Sequence, residues 1–294
     1  MREIEIKTYT PQRDRAQIEH LLHHDSYLLE RLDQDEKRNK DNILVALMNT
    51  KLVGFLSFNG FGRKPEAILY VSKEYEAEHI GTMLINQYEE MLVHNEKVEH
   101  TIFTCSPSDV DVIGLLENNG YRLYFTSYMM ERIGEAFPTS NIVVRNYEDD
   151  DYYEWDRICE LAFYHMRQRV GMYPPFFYKP VASEREIYAQ NKNNMFVMTV
   201  ENKIVAIGRI DGNKIGIVAV SIEHQSRGYG RDFVQFLVNE IIRSGEEKAI
   251  LQVVKGNFAK SLYESLGFKE YNYHHFYIKY FRPETRLSAP PDNY

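Results

Sequence analysis

Residues 218–231 read VAVSIEHQSRGYGR and decide the fold: an apolar run leads into a turn with two glycines and then into a helix. The helix is amphipathic, because Phe233, Leu237 and Ile241 recur at helical spacing. Free N–H groups at the start of a helix, together with the helix dipole, attract anions. A strand, a glycine turn and a helix in this order therefore predict a phosphate-binding turn.

The turn also carries suitable residue types. Gly228 and Gly230 lack a Cβ, so the backbone can approach an anion closely. Arg227 and Arg231 add positive charge. A glycine turn before a helix is also common without any ligand, so the turn alone leaves a purely structural role open.

A second motif, NFAKSLYESLGF at residues 257–268, follows after one more predicted strand. The stretch QSRGYG at 225–230 resembles the acetyl-CoA pyrophosphate signature of the GNAT superfamily of N-acetyltransferases, and the second motif resembles another signature of that family. The order of the two motifs is that of the family. The resemblance covers residues 141–280 well, and residues 1–134 weakly through an internal repeat.

The resemblance implies acetyl-CoA as cosubstrate. Pantetheine in this family pairs with a central strand that splays from its neighbour, and one strand N–H polarises the thioester carbonyl; by position this implies Val218 and Val220. Tyr263 occupies the motif position of the family's tyrosine, which acts as the general acid that protonates sulfur. The alternative is that Tyr263 is only a packed, hydrogen-bonded side chain of an amphipathic helix. Asn257 either holds the start of its helix or contacts the coenzyme. The implied coenzyme-binding set is Val218, Ala219, Val220, Gln225, Ser226, Arg227, Gly228, Tyr229, Gly230, Arg231, Asn257 and Tyr263.

The sequence does not assign the base that removes the amine proton. Some family members carry a glutamate early in the central strand, but residues 214–217 hold no carboxylate. No spacing distinguishes among the candidates, and a solvated surface residue is the simpler interpretation of each; they are Glu184, Asp211, Glu223 and His224. The acceptor is expected beside residues 163–165 and the aromatic stretch 172–178, which could equally order a surface loop and pack in the core.

The first half of the chain repeats the second. At an offset of 149 residues Val71-Ser72 matches Val220-Ser221, and at an offset of 147 residues 119–121 match 266–268. The strand and helix patterns also recur in the same order. They predict an α/β (α+β) fold of two tandem GNAT-like domains, each a mixed, mostly antiparallel twisted sheet flanked by helices. The predicted bounds are 1–134 for the first domain, 135–140 for a linker, 141–282 for the acetyl-CoA-binding domain and 283–294 for a tail.

The first copy lacks the residues that coenzyme binding requires. His79 replaces Gly228, and Leu116 replaces Tyr263. Glu76 and Glu78 occupy the place of the pyrophosphate, where like charges repel. We therefore predict a degenerate first domain that binds no acetyl-CoA.

Composition excludes several other functions. The net charge of −8 arises in residues 1–140, with 15 Lys/Arg and 23 Asp/Glu, whereas residues 141–294 hold 20 of each. An acidic half and a neutral half argue against nucleic-acid binding. The start has no signal-peptide core, and no apolar run suits a membrane span. Cys105 and Cys159 favour a reduced, cytoplasmic protein.

We expect no metal site, because His20, His23 and His24 lack a further ligand. We also expect the protein to be a monomer or a homodimer.

The favoured function is transfer of an acetyl group from acetyl-CoA to a primary amine of a small molecule or peptide, by direct attack in a ternary complex. The alternatives are a non-catalytic acyl-CoA-binding regulator and an aminoacyl transferase that uses tRNA.

Overall fold

A computed structural model describes residues 4–75, 77–172, 177, 180–282 and 289–291 of the chain. The protein forms two compact units. The first unit contains the chain up to Thr126 together with the stretch that begins at His274, and the second unit contains Ser127–Tyr273.

The first half of the chain supplies six strands and four helices within the described residues. They are β1 (Ile4–Thr8), α1 (Pro11–Leu21), α2 (Ser26–Asn39), β2 (Ile43–Met48), β3 (Lys51–Phe58), β4 (Glu66–Val71), α3 (Ala77–Val93), β5 (His100–Cys105), α4 (Val110–Asn118) and β6 (Arg122–Ile133). Strands β1 to β4 form antiparallel neighbours in chain order, and β4 pairs with β5 in parallel.

The second half repeats this order. Its elements are β7 (Val143–Asn146), α5 (Tyr152–Arg169), α6 (Ala182–Asn191), β8 (Met195–Val200), β9 (Lys203–Asp211), β10 (Lys214–Val220), α7 (Tyr229–Arg243), β11 (Lys248–Val254), α8 (Ala259–Ser265) and β12 (Lys269–Tyr280). Strands β7 to β10 are antiparallel neighbours, and β10 pairs with β11 in parallel. The mixed, mostly antiparallel sheets flanked by helices confirm the predicted fold class.

Each unit completes its sheet with a strand from the other half of the chain. In the second unit, Ser127 to Ile133 of β6 pair antiparallel with Val254 to Lys248 of β11. In the first unit, His275 to Tyr280 of β12 pair antiparallel with β5. The predicted domains 1–134 and 141–282 follow the sequence repeat and stay a prediction, whereas the compact units exchange these strands.

Helices cover both faces of the sheet in the second unit. On one face α7 buries Phe233 and Leu237 against β9 to β11. On the other face α5 buries Trp155 against β9 and β10, in a separate core with Ala219. Successive side chains of a strand point to opposite faces, so Val218 and Val220 face the first core while Ala219 faces the second.

Helix α2 was not predicted from the sequence. Its apolar residues Leu28, Leu29 and Leu32 pack on a core formed with β2 to β4, and Asp25 caps the helix by accepting the Leu28 N–H at 2.9 Å. Residues 135–140 fall within the second unit, where the Asn239 amide accepts the Phe137 N–H at 2.7 Å and donates to the Phe137 carbonyl at 3.0 Å.

Candidate functional site

The site lies where β10 leaves β11. Strand β10 pairs with β9 as far as Val220, but with β11 only at Lys214 and Ile215. A β-bulge interrupts the β9 ladder between Ile215 and Ile217, and a bulge bends a strand and increases its twist. Beyond the bulge, the edge of β10 that faces β11 has no strand partner among the described residues.

The unpaired edge presents the backbone of Val218 and Val220. The Ser221 N–H donates to Val205 of β9 at 2.9 Å, so the preceding residue points its backbone groups the other way. The Val220 carbonyl confirms this direction, since it accepts the Gln225 side-chain amide at 3.1 Å. By the same alternation the Val218 N–H also points to the open edge.

The turn after β10 has an unusual backbone. Gly228 takes a left-handed conformation with φ +90°, and so does Ser226 with φ +62°. The N–H groups of residues 226–230 form no hydrogen bond with the described residues, and the first helical bond of α7 comes from the Arg231 N–H to Gly228 at 2.9 Å. A run of free N–H groups at a helix start is an anion-binding concavity.

Polar side chains hold the rim of this turn. The Arg231 guanidinium donates to Ser265 Oγ at 2.6 Å. This bond links the start of α7 to the end of α8 and holds the guanidinium in place. Asn257 Oδ1 accepts the Ala259 N–H at 3.0 Å and thus fixes the start of α8. Fixed donors bind an anion with a smaller loss of conformational entropy than mobile ones.

A cavity of about 340 Å³ joins these parts. Its walls come from α5, the end of β10, the glycine turn and α8. The lining residues include two guanidinium groups, Arg169 and Arg231, and no carboxylate. Arg169 lies over the Phe258 ring, 5.0 Å from its centroid. The size suits a small organic group, and the charge favours an anionic ligand.

Tyr263 lines the same cavity from α8. Its side chain is buried against Phe268, and burial raises the pKa of Tyr263 to about 12. No described residue hydrogen-bonds the hydroxyl. The group is therefore a neutral O–H donor at neutral pH, free to donate to a ligand in the cavity.

The cavity brings together most of the predicted coenzyme residues. Arg227 and Tyr229 are the exceptions: Tyr229 packs against the α7 core, and Arg227 is exposed outside the lining. Met166 and Arg169 line the cavity but were missed. Their helical spacing with Phe163 on α5 was the available signal, because positions i, i+3 and i+6 share one face.

The candidate bases do not meet in this cavity. Asp211 pairs with Arg209 at 2.9 Å, and His224 Nδ1 lies 2.7 Å from Ser221 Oγ. A backbone hydrogen bond, with help from Ser221 and Arg157, lowers the pKa of Glu223, which makes that carboxylate a weaker base. Glu184 lies on α6 and does not line the cavity.

Of the predicted acceptor region, residues 163–165 lie within α5 and not in a loop, and Phe163 lines the cavity. Residues 173–176 and 178 lie outside the described residues. Met172 and Phe177 are buried.

The matching position in the first unit is built differently. Leu116 is fully buried in the core where the second unit has Tyr263. A methyl group added at Gly81 would collide with Leu115, so this side chain fills the space beside the start of α3. Glu76 and the Glu78 side chain lie outside the described residues, and the prediction that this unit binds no acetyl-CoA stays a prediction.

No group of His, Cys, Asp and Glu side chains that could hold a metal ion occurs in the part of the chain that the structure describes. His23 Nδ1 instead lies 2.8 Å from the His20 carbonyl. Cys105 and Cys159 are buried and unbridged. Among the described residues, no helix combines the length and apolar character that a membrane crossing requires.

Comparisons with known proteins agree with this geometry. A family model described as acetyltransferase (GNAT) domain matches residues 170–277, and one described as acetyltransferase (GNAT) family matches residues 1–121. An uncharacterized N-acetyltransferase of Bacillus subtilis, YobR, is 34% identical over 89 residues, which span 29% of this chain and 36% of that protein.

Two solved structures share the fold over the whole chain. A GCN5-related N-acetyltransferase from Sphaerobacter thermophilus superposes with a TM-score of 0.67 at 17% identity, covering 98% of each chain. A tandem GNAT protein from the clavulanic acid biosynthesis pathway has a TM-score of 0.57 at 12% identity, covering 99% of this chain and 100% of that one. The two family matches, one in each half, show that the chain belongs to the GNAT superfamily of acetyltransferases and carries two GNAT domains in tandem.

Proposed function

We propose that the second unit transfers an acetyl group from acetyl-CoA to a primary amine of a small molecule or peptide, by direct attack in a ternary complex. The observation that carries this proposal is a single cavity that joins three parts: Ser226, Gly228 and Gly230 of the turn with the free N–H groups, the open edge of β10, and Tyr263.

The residues fit the coenzyme at both of its polar ends. The free N–H groups at the start of α7 would hold the pyrophosphate, and Arg231 would add a charge-assisted contact. The amide groups of pantetheine suit the open edge of β10, since an extended chain there gains the backbone hydrogen bonds that β11 does not supply. Carboxylates, which would repel phosphate, are absent from the lining residues.

Acetyl-CoA supplies an activated thioester: the amine nitrogen bonds the carbonyl carbon as the carbon–sulfur bond breaks, one proton leaves nitrogen and one reaches sulfur. The Val218 or Val220 N–H donates to the carbonyl oxygen and stabilises the negative charge that develops there. Such a preorganised donor acts strongly because burial of Ala219 and the surrounding core excludes water from one side of the strand.

Tyr263 donates its O–H toward the sulfur. Because burial raises the pKa of Tyr263 to about 12, the hydroxyl keeps its proton over the whole physiological pH range. Its contribution is a hydrogen bond to sulfur as negative charge develops; the proton then passes to sulfur as the thiol leaves, and the tyrosinate that remains regains a proton from water. No carboxylate of the cavity lining is available as a base, so the acceptor loses its proton to water or to a residue outside the lining.

A thiol-release assay tests this proposal. The full chain is incubated with acetyl-CoA and a panel of aliphatic, aromatic and peptide amines, and free coenzyme A is measured with a thiol reagent. We expect amine-dependent release that saturates in both substrates. Saturable acetyl-CoA binding without release for any amine would contradict transfer and favour the non-catalytic regulator.

A further inference from the structure

The first unit has its own cavity at the place that matches the coenzyme cavity. It measures about 310 Å³ and lies where β4 leaves β5, since those strands pair only at Glu66 and Ala67. Asp111 and Leu115 of α4 line it, as Phe258, just before α8, and Leu262 of α8 line the cavity of the second unit. These residues correspond at the 147-residue offset of the repeat, so both cavities occupy the same position in the fold.

The two cavities carry opposite charge. The lining of the second unit has two guanidinium groups and no carboxylate. The lining of the first unit has three carboxylates, from Glu74, Asp109 and Asp111, against the single ammonium of Lys73. Lys51 pairs with Glu74 at 3.6 Å, but this pair is largely exposed and therefore weak. A phosphate group is disfavoured in the first cavity, and a cation is favoured.

A mostly buried serine without a side-chain partner faces the same space. Ser72 lines the cavity and is only 6% exposed, yet its side chain forms no hydrogen bond with the residues that the structure describes. Its counterpart in the second unit, Ser221, bonds His224 at 2.7 Å. The Ser72 hydroxyl is therefore available to a ligand group in the cavity, whereas the Ser221 hydroxyl is already paired.

The remaining walls define the class of ligand. Leu21, Val112 and Leu115 present apolar surface, and the Tyr70 ring lies beside them. Burial, together with the charges of Asp109 and Glu74, raises the pKa of Tyr70, so the field of both carboxylates reaches this wall. Asp109 uses one oxygen to cap α4, at 3.5 Å from the Val112 N–H, and its second oxygen has no hydrogen bond among the described residues.

From these contacts we propose that the cavity of the first unit binds a small aliphatic ammonium compound, a primary amine or diamine, with its charged group between the carboxylates and Ser72 and its carbon chain on the apolar wall. A compact organic cation suits this mixture better than a bare metal ion, which needs several oxygens around one point. The first unit is then a binding site for an amine, while coenzyme binding belongs to the second.

Calorimetry on the full chain, without acetyl-CoA, tests the proposal with 1,4-diaminobutane as the probe. Butane-1,4-diol and succinate replace the ammonium groups with neutral and negative groups, and Mg²⁺ tests a metal. We expect saturable binding of the diamine, with a dissociation constant on the order of 1 mM or below, and no saturable heat from the other three.

Variants locate the binding site. Asp111→Asn and Ser72→Ala should each weaken diamine binding, by about tenfold and about threefold, because each removes one contact to the ammonium group. Glu96→Gln is the matched control, since Glu96 is an exposed acid of the same unit outside the cavity. Thermal unfolding verifies that each variant folds, and Ser72→Ala keeps the backbone bond to Val53.

Three results would overturn the proposal. The first is the absence of saturable diamine binding up to about 10 mM, which is far above the expected dissociation constant. The second is diamine binding that both cavity variants leave unchanged, because the diamine would then bind elsewhere. The third is saturable binding of Mg²⁺ in place of the diamine.

Discussion

Replacing Tyr263 by Phe removes one hydroxyl from the cavity and keeps the ring that packs on Phe268. The hydroxyl makes no hydrogen bond with the described residues, so its loss leaves no protein group unpaired. We therefore expect the free energy of unfolding to change by less than about 1 kcal/mol. The catalytic effect should be much larger, because the donor acts on charge that develops only as the carbon–sulfur bond breaks.

Removing one preorganised donor of this kind lowers kcat by about 10²–10³-fold, or about 2.7–4 kcal/mol of transition-state stabilisation. The KM for acetyl-CoA should stay within about threefold, since the pyrophosphate and pantetheine contacts do not involve this hydroxyl. Steady-state thiol release with the best amine of the panel measures both constants.

Tyr153→Phe is the matched control: it removes a tyrosine hydroxyl from an exposed position in the same unit, outside the cavity. Its kcat should equal that of the unchanged protein. An unaltered kcat in the Tyr263→Phe protein, or a loss confined to KM, would refute the role assigned to this hydroxyl.

Four further predictions follow from the same geometry. Gly228→Ala should destabilise the native state by about 1–2 kcal/mol through its left-handed backbone and weaken acetyl-CoA binding in calorimetry, whereas Gly245→Ala, with a similar φ of +96°, should show the strain alone. Arg231→Gln should weaken acetyl-CoA binding about tenfold at low salt and less at high salt, and Arg243→Gln should not; equal effects would argue against a phosphate contact. The value of kcat/KM should rise with pH as the amine deprotonates, and it should not fall again below about pH 10, because burial raises the pKa of Tyr263 to about 12. A fall in kcat/KM below that pH would argue against Tyr263 as the acid. A fragment of residues 127–273 should unfold cooperatively, whereas residues 135–273 should not, since β11 then loses its partner from Ser127 to Ile133; identical thermal transitions would count against the strand exchange.

The parts of the site that the sequence predicts are those formed by local spacing. The turn at 225–230 follows one strand and starts one helix, and its glycine at 228 has the left-handed backbone that favours glycine. Tyr263 lies on a short helix whose start is fixed by Asn257 two residues before Ala259. Such features depend on neighbours within a few residues, so they fall inside the two short motifs whose resemblance to the GNAT signatures predicts them.

The features that the sequence did not predict depend on long-range packing. The exchange of 127–133 and 274–280 is a pairing of strands far apart in the chain, and each segment alternates well enough to fit either sheet. Arg169 was missed because its place in the cavity depends on how α5 crosses β10. The opposite charge of the two cavities was visible only in part, from the acids near residue 76, because Asp109 and Asp111 come from α4 and meet Glu74 only in the folded unit.

We propose that coenzyme binding and transfer belong to the cavity between β10, α7 and α8. A crystal structure of the full chain with acetyl-CoA is the decisive experiment. We predict one coenzyme per chain, with pyrophosphate oxygens at hydrogen-bond distance from the N–H groups of residues 226–230 and the sulfur beside the Tyr263 hydroxyl. A coenzyme bound in the acidic cavity of the first unit, or a pyrophosphate held away from this turn, would contradict the account.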